Sequence, residues 1–177
     1  MGITWKQFVS NALWLYTQRQ NITYCLGCSG EVAGRDKRVE DCWKYYYSTP
    51  EYHDKIGASI PGWDTTDSTD VAWQKWLAVY GGKLCFDCSG YLDWCLGYKG
   101  IHKYSSWDFG GMPKNESIKA GPAGSALWKK GHVAIDIGYG YECEIGHYGG
   151  TIELYQIVTR DFTSSHSLPE VDYTGAI

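Results

Sequence analysis

From Trp5 to Tyr16, the residues Phe8, Val9, Ala12, Leu13 and Tyr16 recur at three- and four-residue steps, which predicts an amphipathic helix packed on a core. Between Val71 and Tyr80 the pattern returns in Trp73, Trp76, Leu77 and Tyr80, with Ser68, Thr69 or Asp70 in place to cap a helix and Gly81-Gly82 to end it. Tyr91, Leu92, Cys95 and Leu96 repeat it once more, so a further helix begins at or near Cys88. Two segments alternate instead, His132–Gly138 and Thr151–Val158, and read as strands, with Gly124-Ser125-Ala126-Leu127-Trp128 starting the sheet. Less regular are the strand or loop at 21–27, the mixed charge run at 34–41, a short helix end at 43–47 before Pro50, and a Gly-, Lys-, Ser- and Pro-rich connecting loop at 98–124.

The predicted helix start puts a thiol where unpaired N–H groups and the positive end of the helix dipole favour an anion. That environment predicts a Cys88 pKa below the free value and a nucleophilic thiolate. A buried structural thiol is the plainer alternative. The strand opening at His132 supplies a base, and a helix-start cysteine followed by a strand histidine is the footprint of a nucleophile–base pair brought together by folding.

Such a histidine needs a third group to hold its ring, and Glu142, Glu144 and His147 are near. A three-residue hairpin loop at Gly138-Tyr139-Gly140 puts Glu142, Glu144 and Gly146 on the face of His132, whereas a two-residue loop puts His147 there.

Composition narrows the class. A chain of 177 residues with 44% hydrophobic and 20% charged content reads as one globular domain. Net charge of −4 and a pI near 5.7 argue against nucleic acid or an anionic membrane as partner. The first residues lack the order of a signal peptide, so the chain as written is expected to be made in the cytoplasm. With seven cysteines, an odd number, in a reducing compartment, most are expected to be free thiols. Cys25-x-x-Cys28 and Cys85-x-x-Cys88 also match the spacing of a four-cysteine zinc site. Asp64, Asp67 and Asp70 lack the glycine and glutamate of a calcium loop. Aromatic residues make up 16% of the chain, and they suit either a substrate groove or core packing.

Asp87-Cys88-Ser89-Gly90 before an apolar helix, and His132-Val133-Ala134-Ile135-Asp136-Ile137-Gly138, resemble the nucleophile and histidine segments of the NlpC/p-sixty family of cell-wall cysteine peptidases. Gly140-Tyr141-Glu142-Cys143-Glu144-Ile145 resembles the run that follows in clostridial and phage-type members. The likeness is good over residues 84–160. It implies an α+β, papain-like domain in which N-terminal helices and the nucleophile helix pack on an antiparallel sheet, with an insertion at about 30–82. It also implies Cys88 as nucleophile, His132 as base and, twelve positions on, Glu144 as orienting residue, leaving Glu142 as a solvated charge. Tyr24 with Gly27 resembles the family's Tyr-x-x-Gly stretch at the site rim, and Asp87 and Ser89 correspond to residues that bind the free amino end of a stem peptide. Departures are the missing acidic residue near Gly124 and the long insertion.

The implied substrate is bacterial peptidoglycan, cut after D-glutamate in the stem peptide, by a phage or prophage lysin released to the wall by a holin or by lysis, with no cofactor and no metal. Three alternatives stand beside it. One is a CHAP-type amidase acting at the muramoyl–alanine bond, and another a zinc-bound binding module built on Cys25, Cys28, Cys85 and Cys88. The third, an acyltransferase of the lecithin-retinol type, is opposed by the cysteine-first chain order.

Overall fold

The computed structural model describes residues 2–115, 117–118 and 121–176. The loop expected at 116, 119 and 120 lies outside the described residues. The architecture is mixed α+β. A short strand β1 (Ile3–Thr4) leads into helix α1 (Trp5–Thr17), where the Thr4 hydroxyl accepts from the Gln7 N–H as N-cap. Phe8, Val9, Ala12 and Leu15 form the buried face of α1, while Leu13, expected on that face, is 38% exposed. Leu15 takes its place because it falls seven residues after Phe8 and three after Ala12, on the same side of the helix.

After a 3-10 turn come β2 (Ile22–Tyr24) and β3 (Ser29–Val32). The stretch that reads least clearly in sequence is helical: α2 (Lys37–Tyr47) and α3 (Pro50–Gly57), the latter opened by proline at its first position. Helix α4 (Thr69–Tyr80) is capped by Ser68, whose hydroxyl accepts from the Val71 N–H. The nearby acidic side chains are already engaged, Asp64 with the backbone and hydroxyl of Thr66 and Asp67 with Lys75.

Strand β4 (Leu84–Phe86) lies between β2, which it meets in parallel, and β3, antiparallel. It delivers the chain to α5 (Cys88–Cys95). A five-stranded antiparallel sheet follows, made of β5 (Ala126–Lys129), β6 (His132–Gly138), β7 (Tyr141–Glu144), β8 (Glu153–Gln156) and β9 (Ser164–His166), in the order β8-β7-β6-β5-β9. The alternation read through Val158 ends earlier, because Ile157–Thr159 closes into a 3-10 turn. Strand β10 (Val171–Asp172) pairs with β1.

One core joins α1 and α5 to the inner face of the sheet through Phe8, Leu15, Tyr91, Leu92, Val133 and Ile135. A second core lies within the 25–85 region, where Trp43, Tyr47, Trp73 and Trp76 stack with centroids about 5 Å apart and are all buried. Much of the aromatic excess is therefore packing. No described helix is long and apolar enough to cross a membrane.

Candidate active site

Helix α5 starts where it does because Asp87 caps it. Its Oδ1 accepts from the Gly90 N–H at 2.7 Å and from the Ser89 hydroxyl at 3.0 Å, and its Oδ2 accepts from the Gly27 N–H at 2.8 Å, tying the helix to the loop after Tyr24. Glycine at position 90 is required by close packing, since a Cβ there would sit 2.1 Å from the carbonyl oxygen of Cys28. The helix N-terminus is thereby pressed between β3 and the start of β6.

Cys88 is 5% exposed, and its sulfur meets the backbone N–H of Val133, the residue after His132. Cys88 is thus seated against the chain neighbour of the base candidate His132. The thiol is not acidic, which corrects the expectation from the helix terminus. Burial pushes its pKa up to about 12 and the Asp87 charge adds to this, outweighing the N–H groups of Val133, Ser89 and Cys88 itself, which act in the opposite direction.

At the same strand start, His132 Nε2 lies 2.5 Å from Glu144 Oε2. Burial alone would raise the Glu144 carboxyl, but His132 and Arg160 outweigh it and hold the group below the usual carboxylate range. An ionised carboxylate only accepts, so Nε2 carries the proton and Nδ1 is the ring nitrogen left to exchange one. Phe162 stacks on the imidazole with centroids 6.1 Å apart.

The hairpin register combines the two options read from sequence. The tip is a two-residue turn at Tyr139-Gly140, both with positive φ (56° and 79°), and Gly138 pairs with Tyr141. An irregularity between Asp136 and Gly138 then shifts the ladder so that Asp136 pairs with Glu142 and Ile135 with Cys143, the register of a three-residue loop. That puts Glu144, rather than the exposed His147, beside the imidazole.

Glu142 is not the solvated charge that the sequence suggests. It is fully buried and its pKa is pushed up to about 8, chiefly by desolvation and then by the Glu144 charge. Arg160, which sequence reasoning passed over in the polar tail, is the residue that makes two buried glutamates tolerable: its Nη2 is 2.5 Å from Glu144 Oε1 and its Nε 3.3 Å from Glu142 Oε1.

Two cavities adjoin the candidate residues. One of about 300 Å³ is lined by Tyr24, His132, Glu144, His147, Tyr155 and Arg160 among others. Tyr24 is buried, edge-on to Tyr148, and is one of the residues lining this cavity. The other, of about 410 Å³, is lined by Asp87 and Ser89 together with Tyr46, His102, Tyr104 and Asp108. His102, 3.6 Å from Asp87, is a further cavity residue that carries no motif signal. The two Cys-x-x-Cys pairs do not converge as four. Cys25 contacts Cys28 and Cys85, Cys28 contacts Cys42, and Cys88 faces Val133 instead. Among the described residues no three His, Cys, Asp or Glu side chains are arranged to hold a metal ion.

No protein-family model matches this chain, and no curated protein does. Among solved structures the chain is similar to the peptidoglycan hydrolase RipB from Mycobacterium tuberculosis, at 14% sequence identity and a TM-score of 0.48. The match covers 92% of this chain and 65% of that one, so this chain spans just under two thirds of the length of RipB.

Proposed function

We propose that the protein is a cysteine hydrolase of the NlpC/p-sixty type that cuts an amide bond in the stem peptides of bacterial peptidoglycan. The observation that carries this reading is the meeting of the α5 N-terminus with the start of β6, where Cys88 faces the Val133 N–H and the adjoining His132 is bound to Glu144. The Asp-Cys-Ser-Gly and His-Val segments that resemble the family are the segments that meet there.

In the reaction His132 Nδ1 takes the Cys88 proton as the sulfur attacks the amide carbonyl carbon, which a thiol of raised pKa requires. The negative charge moves to the carbonyl oxygen, held by the backbone N–H of Cys88 at the helix start. Collapse breaks the C–N bond, and the imidazolium returns its proton to the departing amine, leaving a thioester. Water then attacks the thioester with His132 again as base, releasing the carboxylic acid and the Cys88 thiol. Glu144 keeps the imidazole in the tautomer with Nε2 protonated. Tyr24, Asp87 and Ser89 belong to the walls that receive the peptide.

The test is digestion of purified peptidoglycan followed by mass spectrometry of the muropeptides. The expected products carry a cut after D-glutamate, and Cys88→Ala yields none while keeping its fold. Full digestion by Cys88→Ala would sink the proposal, and a cut at the muramoyl–alanine amide would reassign the activity to an amidase.

A further inference from the structure

His132 and Glu144 rest on a second layer of charge to which the hydrolytic steps assign no part. Arg160 follows the 3-10 turn Ile157–Thr159 and lies over the sheet face that carries His132, Glu142 and Glu144. Its guanidinium stacks on Tyr155, 4.4 Å from the ring centroid, and lies 5.9 Å from the ring of Phe162, the ring that stacks on His132. One side of the fork holds Glu144 Oε1, while His132 takes Oε2. The other side, Nε, faces Glu142 at 3.3 Å, and neither carboxylate oxygen of Glu142 makes a hydrogen bond among the described residues.

We propose that Arg160 is a positioning residue for the hydrolytic site, clamping Glu144 so that one carboxylate oxygen faces the imidazole, and that Glu142 regulates this clamp by competing for the same guanidinium. The proposal rests on the reading of Cys88 and His132 given above. Its physical basis is the planar geometry of arginine, whose Nε and Nη2 hold two donors in fixed directions, one toward each carboxylate, whereas a lysine ammonium is a point charge without that fork.

The sign of the regulation follows from the burial of Glu142. Desolvation, and then the Glu144 charge, push its carboxyl up to about 8, so toward lower pH it is held neutral and the Arg160 charge is delivered to Glu144. Above it, Glu142 ionises and draws on Arg160, and the hold on Glu144 loosens. The groups that face Glu142 are Glu144 on its own strand, Asp136 opposite on β6, Tyr155 and Glu153 on β8, Lys129 on β5, and Arg160. Of these, Asp136 is pushed up by burial only to about 6, and Glu144 is depressed. Neither titrates near 8.

The test reads the His132–Glu144 hydrogen bond directly, as the downfield imidazole N–H proton resonance. It is recorded in the full chain with Cys88→Ala, so that the result does not depend on hydrolysis. We expect the resonance to be present at pH 6.5, to weaken or shift as pH passes 8, and to lose that step in Glu142→Gln. Arg160→Met should broaden or move it at every pH and, with Cys88 restored, should lower kcat about ten- to a hundredfold with little change in KM, while Arg160→Lys recovers only part. If Arg160→Met folds but leaves the resonance and kcat intact, or if Glu142→Gln retains the step at pH 8, the clamp is refuted. If Arg160→Met does not fold, Arg160→Lys and Glu142→Gln decide by the same readouts. Loss of the hydrolase reading shows separately, as peptidoglycan digestion that does not need Cys88.

Discussion

Glu144 Oε2 lies 2.5 Å from His132 Nε2 although twelve residues and a hairpin separate the two, and the irregularity at Ile137 is what makes the meeting possible. Without that extra residue the two-residue tip would set a ladder in which the Glu144 side chain points to the opposite face, since a slip of one residue reverses every side chain. Glu144→Gln should therefore lower kcat well below wild type but leave it above Cys88→Ala, because the proposed base and nucleophile remain while ring orientation suffers. His147→Ala should cost much less. Steady-state kinetics on soluble muropeptides compare the two, and a larger loss in His147→Ala would contradict the register.

The approach of α5 to β3 gives a prediction about stability. At Gly90 a methyl group would meet the Cys28 carbonyl, which is backbone and cannot swing aside. Overpacking of this kind costs about 1–3 kcal/mol, or roughly 2–12 °C in Tm for a chain of this size. Gly90→Ala should also lose activity beyond what the Tm explains, since the helix can relieve the clash only by moving Cys88 from Val133. Thermal unfolding and lysis assays on the same sample check both, and an unchanged Tm with full lysis would overturn the packing argument.

Most of what brings the site together was legible because it is local. The helical spacing after Cys88 and the alternation after His132 are each written within a few residues of the group they position. The resemblance then singled out Glu144 from neighbours that periodicity left equivalent. Three features were not legible, each for a physical reason. The burial of Glu142 depends on Arg160, eighteen positions downstream in a segment without period, so a charged residue beside a turn read as solvated. The helices α2 and α3 bury few residues, Val39, Trp43 and Tyr47 from the first and Ile56 and Gly57 from the second, among exposed charges and tyrosines, and Trp73 and Trp76 of the core they share come from α4, beyond the reach of a local pattern. The raised pKa of Cys88 is the third, because helix-terminal stabilisation can be read from sequence, whereas desolvation, the larger influence, follows from how tightly α5 is pressed on the sheet.

Several buried carboxyls make stability depend on pH with a definite sign. Glu142 is raised to about 8, and Asp93 and Asp136 to about 6, each mainly by desolvation. Free carboxyls titrate near 4, so between that pH and the raised values the folded chain holds more protons than the unfolded one and stability falls as pH rises. Glu144 and Glu170 act oppositely, and their contribution is lost as pH falls below about 4. Tm should thus be higher at pH 5.5 than at pH 8.5, and Glu142→Gln should flatten that difference. A Tm that climbs from pH 5.5 to 8.5, or a slope untouched by Glu142→Gln, would show that these groups are hydrated in solution.

The last prediction concerns the thiol itself. A free cysteine titrates near 8.5, whereas the Cys88 thiol, buried and beside the Asp87 carboxylate, is pushed up to about 12. Only the thiolate alkylates, so in the resting protein Cys88 should react slowly with iodoacetamide at pH 6–7, with a rate that keeps rising tenfold per pH unit through the alkaline range. Asp87→Asn should speed the reaction, because it removes the adjacent charge while the amide oxygen can still accept from the Gly90 N–H and keep the helix cap, at the loss of the acceptor for the Gly27 N–H. Site-resolved mass spectrometry of the alkylated chain gives the Cys88 rate apart from those of the other six thiols. Rapid labelling of wild-type Cys88 at pH 6 would mean that the pair rests as thiolate and imidazolium, and labelling that waits for a chelator would mean that the sulfur is held by a metal.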